Sequence, residues 1–195
     1  ITAARMFDGT GSAPVEGQAV LLSDGKIAAI GPVAEISAPD NSNVTVRDYG
    51  DATLLPGLVD RHTHMMAPGD GTHGDITGAE DDDVLLMRAL SNARTFLHAG
   101  VTTARENGAK NRVGFSLKEG IQRGLSEGPE MVVSGRPITI TGGHFWYCGS
   151  EADGVDAVRT EVRKLVKEGA DFIKIMATGG STWSSDPLRP SYTLE

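Results

Sequence analysis

The sequence predicts an α/β protein in which a small β unit, residues 1–56, precedes four βα units in residues 57–195. Two observations predict this division. Short apolar runs separated by turn residues fill the first part. From residue 57 onward, strand-like and helix-like segments alternate at intervals of roughly 30 to 40 residues, the spacing of βα units on a parallel sheet.

Within residues 1–56, the apolar runs are 19–22, 26–30 and 43–49. The first two flank Asp24-Gly25. An Asp-Gly pair tolerates the positive φ of a tight turn, so we predict a β-hairpin here.

The four predicted strands after residue 57 are 58–66, 101–107, 130–140 and 172–178, and the predicted helices are 83–98, 113–125 and 155–168. In the first and last helices, apolar residues recur on one face and a glycine follows, as in a helix that packs on a sheet. Four such units fit either an open doubly wound sheet or half of a (β/α)8 barrel. No glycine-rich phosphate loop follows the first strand, which ends in histidines instead, so the barrel is favoured.

Composition and charge limit the function. The chain has 195 residues, 18 basic and 26 acidic side chains, and a net charge of −8. A concentrated positive surface is absent from the sequence, so we expect no nucleic-acid partner. No apolar run approaches the roughly 18 residues of a membrane span, so no membrane partner is expected.

The cysteine content and the first residue of the sequence bear on the cellular compartment of the protein. Cys148 is the single cysteine and cannot form an internal disulfide. A cytoplasmic protein is therefore expected, with export as the alternative because the chain begins at Ile1 without a methionine. We also expect the chain to be a fragment at both ends.

His62 and His64 are the first candidate metal ligands. Alternate side chains of a strand point to the same face, which places the two imidazoles about 7 Å apart along one strand. Such a pair suits zinc or a similar divalent metal. The alternative is two ordinary half-buried histidines.

Lys174 lies in an otherwise apolar predicted strand, where an unpaired ammonium is costly. One interpretation is a buried ion pair or a side chain that reaches the sheet edge. The other is a lysine whose pKa is lowered by nearby cations, so that the amine reacts with carbon dioxide and becomes a carboxylated ligand bridging two metals.

The remaining histidines are weighed by their positions. His144 follows the third strand between glycines, and it either contacts the substrate carbonyl or packs on its aromatic neighbours. His73 lies in a glycine-rich loop, where we expect it to be solvated or part of a substrate rim. His98 ends a helix and is expected to be structural.

Four motifs follow one another along the chain, which are LPGLVDRHTH at 55–64, GVTTAR at 100–105, TGGH at 141–144 and IKIMATGG at 173–180. Their order resembles the amidohydrolase superfamily, in particular its imidazolonepropionase-like and prolidase-like branch. The resemblance covers nearly the whole chain. Four motifs in this order are more specific than any one alone.

The resemblance implies a (β/α)8 barrel and a small β-sandwich assembled from the two ends of the chain. It also implies a centre of two divalent metals, usually zinc, bound by His62, His64 and carboxylated Lys174, with His144 contacting substrate. Two further histidines and an aspartate complete such centres after later strands. We therefore expect the C-terminal half in the same or a separate chain, and a homo-oligomer.

The reaction implied by this resemblance is hydrolysis of an amide or peptide bond by a metal-activated hydroxide. A dipeptide or an N-acyl amino acid is the expected small-molecule substrate. The alternatives are a cyclic amide, a phosphotriester or lactone, and a non-catalytic scaffold with the same fold.

Overall fold

The computed structural model describes residues 1–36, 44–180, 182–183 and 185–193. The chain divides into two compact units, Ile1–Pro56 and Gly57–Glu195. Within the described residues, no helix combines the length and the apolarity needed to cross a membrane.

In its described residues, 1–36 and 44–56, the first unit has five short strands, which are β1 (Arg5–Met6), β2 (Val15–Glu16), β3 (Gln18–Ser23), β4 (Lys26–Pro32) and β5 (Thr53–Leu54). Strand β1 pairs antiparallel with β2 and parallel with β5, while β3 and β4 form an antiparallel pair. The hairpin predicted from sequence is confirmed, since Asp24 and Gly25 adopt positive φ values of 51° and 72°.

The third apolar run predicted in this unit, 43–49, does not become a strand in its described part. Asn43 lies outside the described residues. Within 44–49 the structure has an isolated bridge, between Asp48 and Thr2. The pairing with β1 is made further along the chain, by β5.

The part of the second unit that the structure describes contains a parallel sheet of three strands in the order β6-β7-β8. The strands are β6 (Leu58–Thr63), β7 (Val101–Glu106) and β8 (Glu130–Val133). The helices are α1 (Gly74–Gly78), α2 (Asp82–His98), α3 (Val113–Gln122) and α4 (Gly154–Glu168), with a 3-10 turn at Trp146–Cys148. The three longer helices confirm the helices predicted from periodicity, whereas α1 and the 3-10 turn were not predicted.

The core of this unit lies between the sheet and helices α2, α3 and α4. Leu85, Ala89 and Ala93 recur every four residues along α2 and are completely buried. Leu117 of α3 and Leu165 of α4 are completely buried as well. These helix residues form one buried cluster with Ala104, Met131 and Val133 of the sheet.

The prediction of a strand at 172–178 was wrong. These residues make isolated bridges, between Ile175 and Ile138 and between Thr178 and Pro190, and no continuous ladder. The neighbouring chain explains the difference. Val133 donates its N–H to the Asp171 carboxylate, and Pro137 has no N–H to donate.

Strand β8 is also shorter than the predicted 130–140. It ends at Val133 because the chain turns at Gly135, whose φ is +70° and whose Cβ position would lie 2.3 Å from the Phe115 ring. Strand β6 ends at Thr63, three residues earlier than predicted. His62 therefore lies within the strand and His64 just beyond it.

Candidate metal centre

His62 and His64 lie side by side at the C-terminal end of β6. Their ring centroids are 5.4 Å apart. The Nδ1 atom of His64 is 3.0 Å from the carbonyl oxygen of Gly108, which can only accept a hydrogen bond. Nδ1 of His64 therefore carries the proton, and the lone pair on Nε2 remains for a metal.

Glu106 lies directly behind this pair and was missed by the sequence analysis. It is 1% exposed, and its Oε1 is 3.7 Å from Nδ1 of His64. Its two oxygens accept backbone hydrogen bonds from Met65, at 2.6 Å, and from Gly108, at 3.2 Å. Burial raises the pKa of Glu106 to about 8, although these bonds oppose the shift. The signal available in the sequence was a carboxylate at the carboxyl end of a predicted strand.

Lys174 lies in the segment that follows α4. Ile138 donates its N–H to the Lys174 carbonyl at 2.9 Å, which fixes the backbone at this point. The side chain is half-buried rather than covered on both sides, and Ile175 next to it is 46% exposed.

The surroundings of His64 and His144 lower the pKa of both imidazoles. Burial is the main reason that the pKa of His64 is lowered, and the positive charges of His62, Lys174 and His144 lower it further. Burial also lowers the pKa of His144, followed by the charge of Lys174.

His144 is held by the loop that follows α4. Its Nδ1 lies 2.5 Å from Oγ1 of Thr182, which also accepts a hydrogen bond from the backbone N–H of Phe145 at 3.1 Å. Gly180 packs against the ring, since a Cβ atom at this position would lie 2.5 Å from it. These contacts fix both the position and the orientation of the imidazole.

A second group of side chains, here called the Asp75 cluster, joins three loops at this end of the unit. Asp75 is 2.8 Å from Nδ1 of His73, and it accepts hydrogen bonds from the Trp146 indole and the Trp183 backbone. His73 and Trp183 stack, with ring centroids 4.5 Å apart. The His73 side chain is therefore 26% exposed and partly covered by Trp183 and Asp75, rather than freely solvated, and its place in a substrate rim stays a prediction.

His98 lies outside this group, in the last turn of α2, with its Nε2 atom 3.5 Å from Glu127. A histidine at this end of a helix interacts favourably with the helix dipole. Its position agrees with the structural role expected from the sequence.

The chemistry of the predicted ligands fits a divalent metal. His62 and His64 provide adjacent imidazoles, one with its tautomer set for binding through Nε2, and the Lys174 amine would supply oxygen ligands if carboxylated. Within the described residues, no group of three or more His, Cys, Asp or Glu side chains could hold a metal ion. The pair and the lysine thus represent a partial set of ligands.

Comparison with known families identifies the class to which this fold and this site belong. The model of the amidohydrolase family matches residues 53–195. The chain therefore belongs to the amidohydrolase family.

Individual relatives support this assignment. Ochratoxinase from Aspergillus niger is 29% identical over 209 residues, covering 92% of this chain and 42% of the ochratoxinase. Imidazolonepropionase from Haloarcula marismortui is 38% identical over 130 residues, covering 53% of this chain and 31% of that protein. A crystal structure of a Xaa-Pro dipeptidase with methionine bound in its active site superposes with a TM-score of 0.81 at 26% identity, covering 98% of this chain and 50% of the dipeptidase. The chain spans half or less of the length of these relatives.

Proposed function

We propose that this chain forms the first half of a metal-dependent hydrolase that cleaves an amide or peptide bond, with a dipeptide or an N-acyl amino acid as substrate. One observation carries the proposal. The imidazoles of His62 and His64 lie with ring centroids 5.4 Å apart at the C-terminal end of β6, and the Gly108 carbonyl binds Nδ1 of His64, which leaves Nε2 for a metal. Membership of the amidohydrolase family, and relatives named ochratoxinase and Xaa-Pro dipeptidase, support it.

In this proposal His62, His64 and Lys174 hold two divalent metals, zinc being the first choice. Lys174 would bridge them after its neutral amine adds to carbon dioxide, forming an N–C bond and releasing a proton. When bound, the metals would lower the pKa of a water molecule and polarise the substrate carbonyl. The remaining ligands and the aspartate that moves the proton would come from the C-terminal half, in the same or a separate chain.

His144 would bind the carbonyl oxygen of the substrate. The Thr182 hydroxyl accepts a bond from Phe145 and can donate its own proton to Nδ1 of His144. The ring proton of His144 then lies on Nε2, where it can stabilise negative charge that develops on oxygen. A neutral imidazole with this tautomer is suited to donate a hydrogen bond without transferring the proton.

We further propose that the complete protein closes a (β/α)8 barrel, with residues 1–56 contributing to a β-sandwich. A closed barrel would pair the free edges of the three-stranded sheet. We also propose that the complete protein is a homo-oligomer and that it is located in the cytoplasm.

Cyclic-amide hydrolysis is the second candidate, since the Haloarcula marismortui relative is an imidazolonepropionase. The same metals and the same histidine would serve this reaction, and only the shape of the substrate pocket would differ. The substrates that are cleaved therefore distinguish the two candidates.

The test uses the full-length protein and a panel of Xaa-Pro, Xaa-Arg, N-acyl amino acid and cyclic-amide substrates. We expect amino acid release that is lost on chelation and restored by zinc. The variants His62→Asn and Lys174→Ala should lose bound metal and more than about 100-fold in activity, since removal of a ligand exceeds the usual effect of second-sphere changes.

His98→Asn is the matched control, and it should retain both metal and activity. Hydrolysis that survives chelation would contradict the metal-dependent mechanism. A full-length protein that neither contains nor takes up a divalent metal would favour the scaffold alternative. Cleavage of cyclic amides alone would favour the second candidate.

A further inference from the structure

Glu106 has no task in the reaction proposed above, although it is fully buried beside a predicted metal ligand. A buried carboxylate is costly unless its oxygens are hydrogen-bonded, so its partners indicate why it is there. Both oxygens of Glu106 are hydrogen-bonded to backbone N–H groups.

The two N–H groups that bind Glu106 belong to the two backbone segments that hold His64. Oε2 accepts from the N–H of Met65, the residue that follows His64. Oε1 accepts from the N–H of Gly108, whose carbonyl oxygen receives the Nδ1 proton of His64. One side chain therefore fixes the backbone of the ligand and the group that orients its ring.

Gly108 has little freedom to compensate for a change at Glu106. Its φ is +144°, and a Cβ atom there would lie 2.2 Å from the Pro137 ring. The backbone at Gly108 is thus confined between Pro137 and the Glu106 carboxylate. Loss of either contact should change the direction of the carbonyl that binds His64.

We propose that Glu106 is a positioning residue for His64, holding the ring so that Nε2 faces the metal centre. This inference rests on the proposed function, because it assumes that His64 binds a metal. It assigns Glu106 to the outer sphere of the centre, and Glu106 itself does not bind the metal.

The test measures metal binding rather than turnover. Glu106→Gln in the full-length protein keeps the size of the side chain but places an amide N–H₂ against a backbone N–H donor. We expect the affinity for zinc, measured by competition with a chromophoric chelator, to fall about 10- to 100-fold. The absorption spectrum of the cobalt-substituted protein should change as well, because the geometry at His64 changes.

Glu161→Gln is the matched control. Glu161 is also buried and accepts hydrogen bonds from Ser150 and Arg136, but it lies on α4 and does not contact His62 or His64. Removal of the Glu161 carboxylate should leave the affinity for zinc within about threefold of the wild-type value, as expected for a distant, independent site. The cobalt spectrum should not change.

Glu106→Asp serves as a second variant should the glutamine variant fail to fold. It keeps the carboxyl group but is one methylene shorter, so it reaches one of the two N–H groups and should give an intermediate affinity. Wild-type affinity and an unchanged cobalt spectrum in either Glu106 variant would overturn the inference, as would equal losses in Glu106→Gln and Glu161→Gln. A wild-type protein that binds no metal would overturn the proposed function, and this inference with it.

Discussion

The phenyl ring of Phe145 packs against the imidazole of His64, with ring centroids 4.8 Å apart. The same ring lies 4.6 Å from the imidazole of His144. Phe145 has a φ of +62°, a left-handed backbone conformation that is uncommon for a residue other than glycine. The loop after β8 is therefore held against the loop after β6, and the two histidines depend on one loop conformation.

Gly180→Ala should impair catalysis without unfolding the protein. The added Cβ atom would meet the His144 ring at 2.5 Å and displace it. We expect kcat/KM of the full-length protein to fall about 100-fold if His144 contacts substrate as proposed, because small displacements of such a group have effects of this size.

Gly120→Ala is the control for this substitution. Gly120 lies within α3, where a Cβ atom meets nothing within 4 Å. Alanine there should leave activity unchanged and raise the free energy of unfolding by about 0.5–1 kcal/mol. Equal activities for the two alanine variants would contradict the role of the Gly180 contact.

Thr182→Val should lower kcat more than it raises KM. It removes the hydroxyl that sets the tautomer of His144, so the Nε2 proton is no longer held for the carbonyl oxygen. The expected loss is about 10-fold, equivalent to one ordinary hydrogen bond. Steady-state kinetics of Thr160→Val, an exposed position on α4, provide the baseline. An unchanged kcat in Thr182→Val would show that the hydroxyl does not act through His144.

Arg136→Met should destabilise the protein and alter its response to acid. The guanidinium, 9% exposed, pairs with Glu161 and Glu168. Its removal should cost less than the about 3–5 kcal/mol typical of an uncompensated buried charge, because Glu161 keeps Lys164 and Glu168 keeps Arg112 as partners. Urea unfolding at neutral pH measures this loss, and Arg159→Met, on the exposed face of α4, should cost much less.

The same pair of glutamates predicts the direction of the pH effect. The hydrogen bond from Arg136 lowers the pKa of Glu168 below its usual 4.5. Burial raises the pKa of Glu161, but hydrogen bonds from Ser150, Lys164 and Arg136 lower it by more. Their stabilising contribution is therefore present above pH 4.5 and is lost as the pH falls through the lowered values. In this pH range, Arg136→Met should lose less of its free energy of unfolding than the wild type does. If both proteins lost the same amount, the pH effect could not be assigned to Glu161 and Glu168.

Trp183→Ala should weaken substrate binding while leaving kcat nearly unchanged. Trp183 stacks on His73 with one face and is 70% exposed, so the other face is available to an apolar group of the substrate. We expect KM for substrates with an aromatic acyl group to rise about 10-fold, and KM for those with a small acyl group to change little. Leu188→Ala, at a position 89% exposed, is the comparison. An equal change in KM for substrates with aromatic and with small acyl groups would argue against a stacking surface at Trp183.

Secondary structure could be predicted from the sequence wherever the signal is local. The helices α2, α3 and α4 begin within one residue of their predicted starts, and Asp24-Gly25 forms the predicted turn. The prediction at 172–178 was wrong because a strand needs a paired neighbour, and the chain beside it turns away at Gly135. Apolar composition alone does not reveal such an interruption.

The candidate site could be predicted only in part. His62 and His64 were found because their spacing has a direct geometric meaning on a strand. Glu106 was missed because its partners, the N–H groups of Met65 and Gly108, carry no signal in the side-chain sequence. The stacking of His73 on Trp183 was missed for a related reason, since the two residues lie 110 positions apart (183 − 73).

The sequence by itself determined where helices and turns form, which family motifs the chain carries, and which two histidines share a face. These properties follow from periodicity, turn chemistry and spacing, which act over a few residues. Only the tertiary structure decided that Glu106 lies behind His64, that Thr182 holds His144, and that Asp75 joins three loops. Each of these contacts unites segments far apart in the chain, and their proximity results from burial of the shared core.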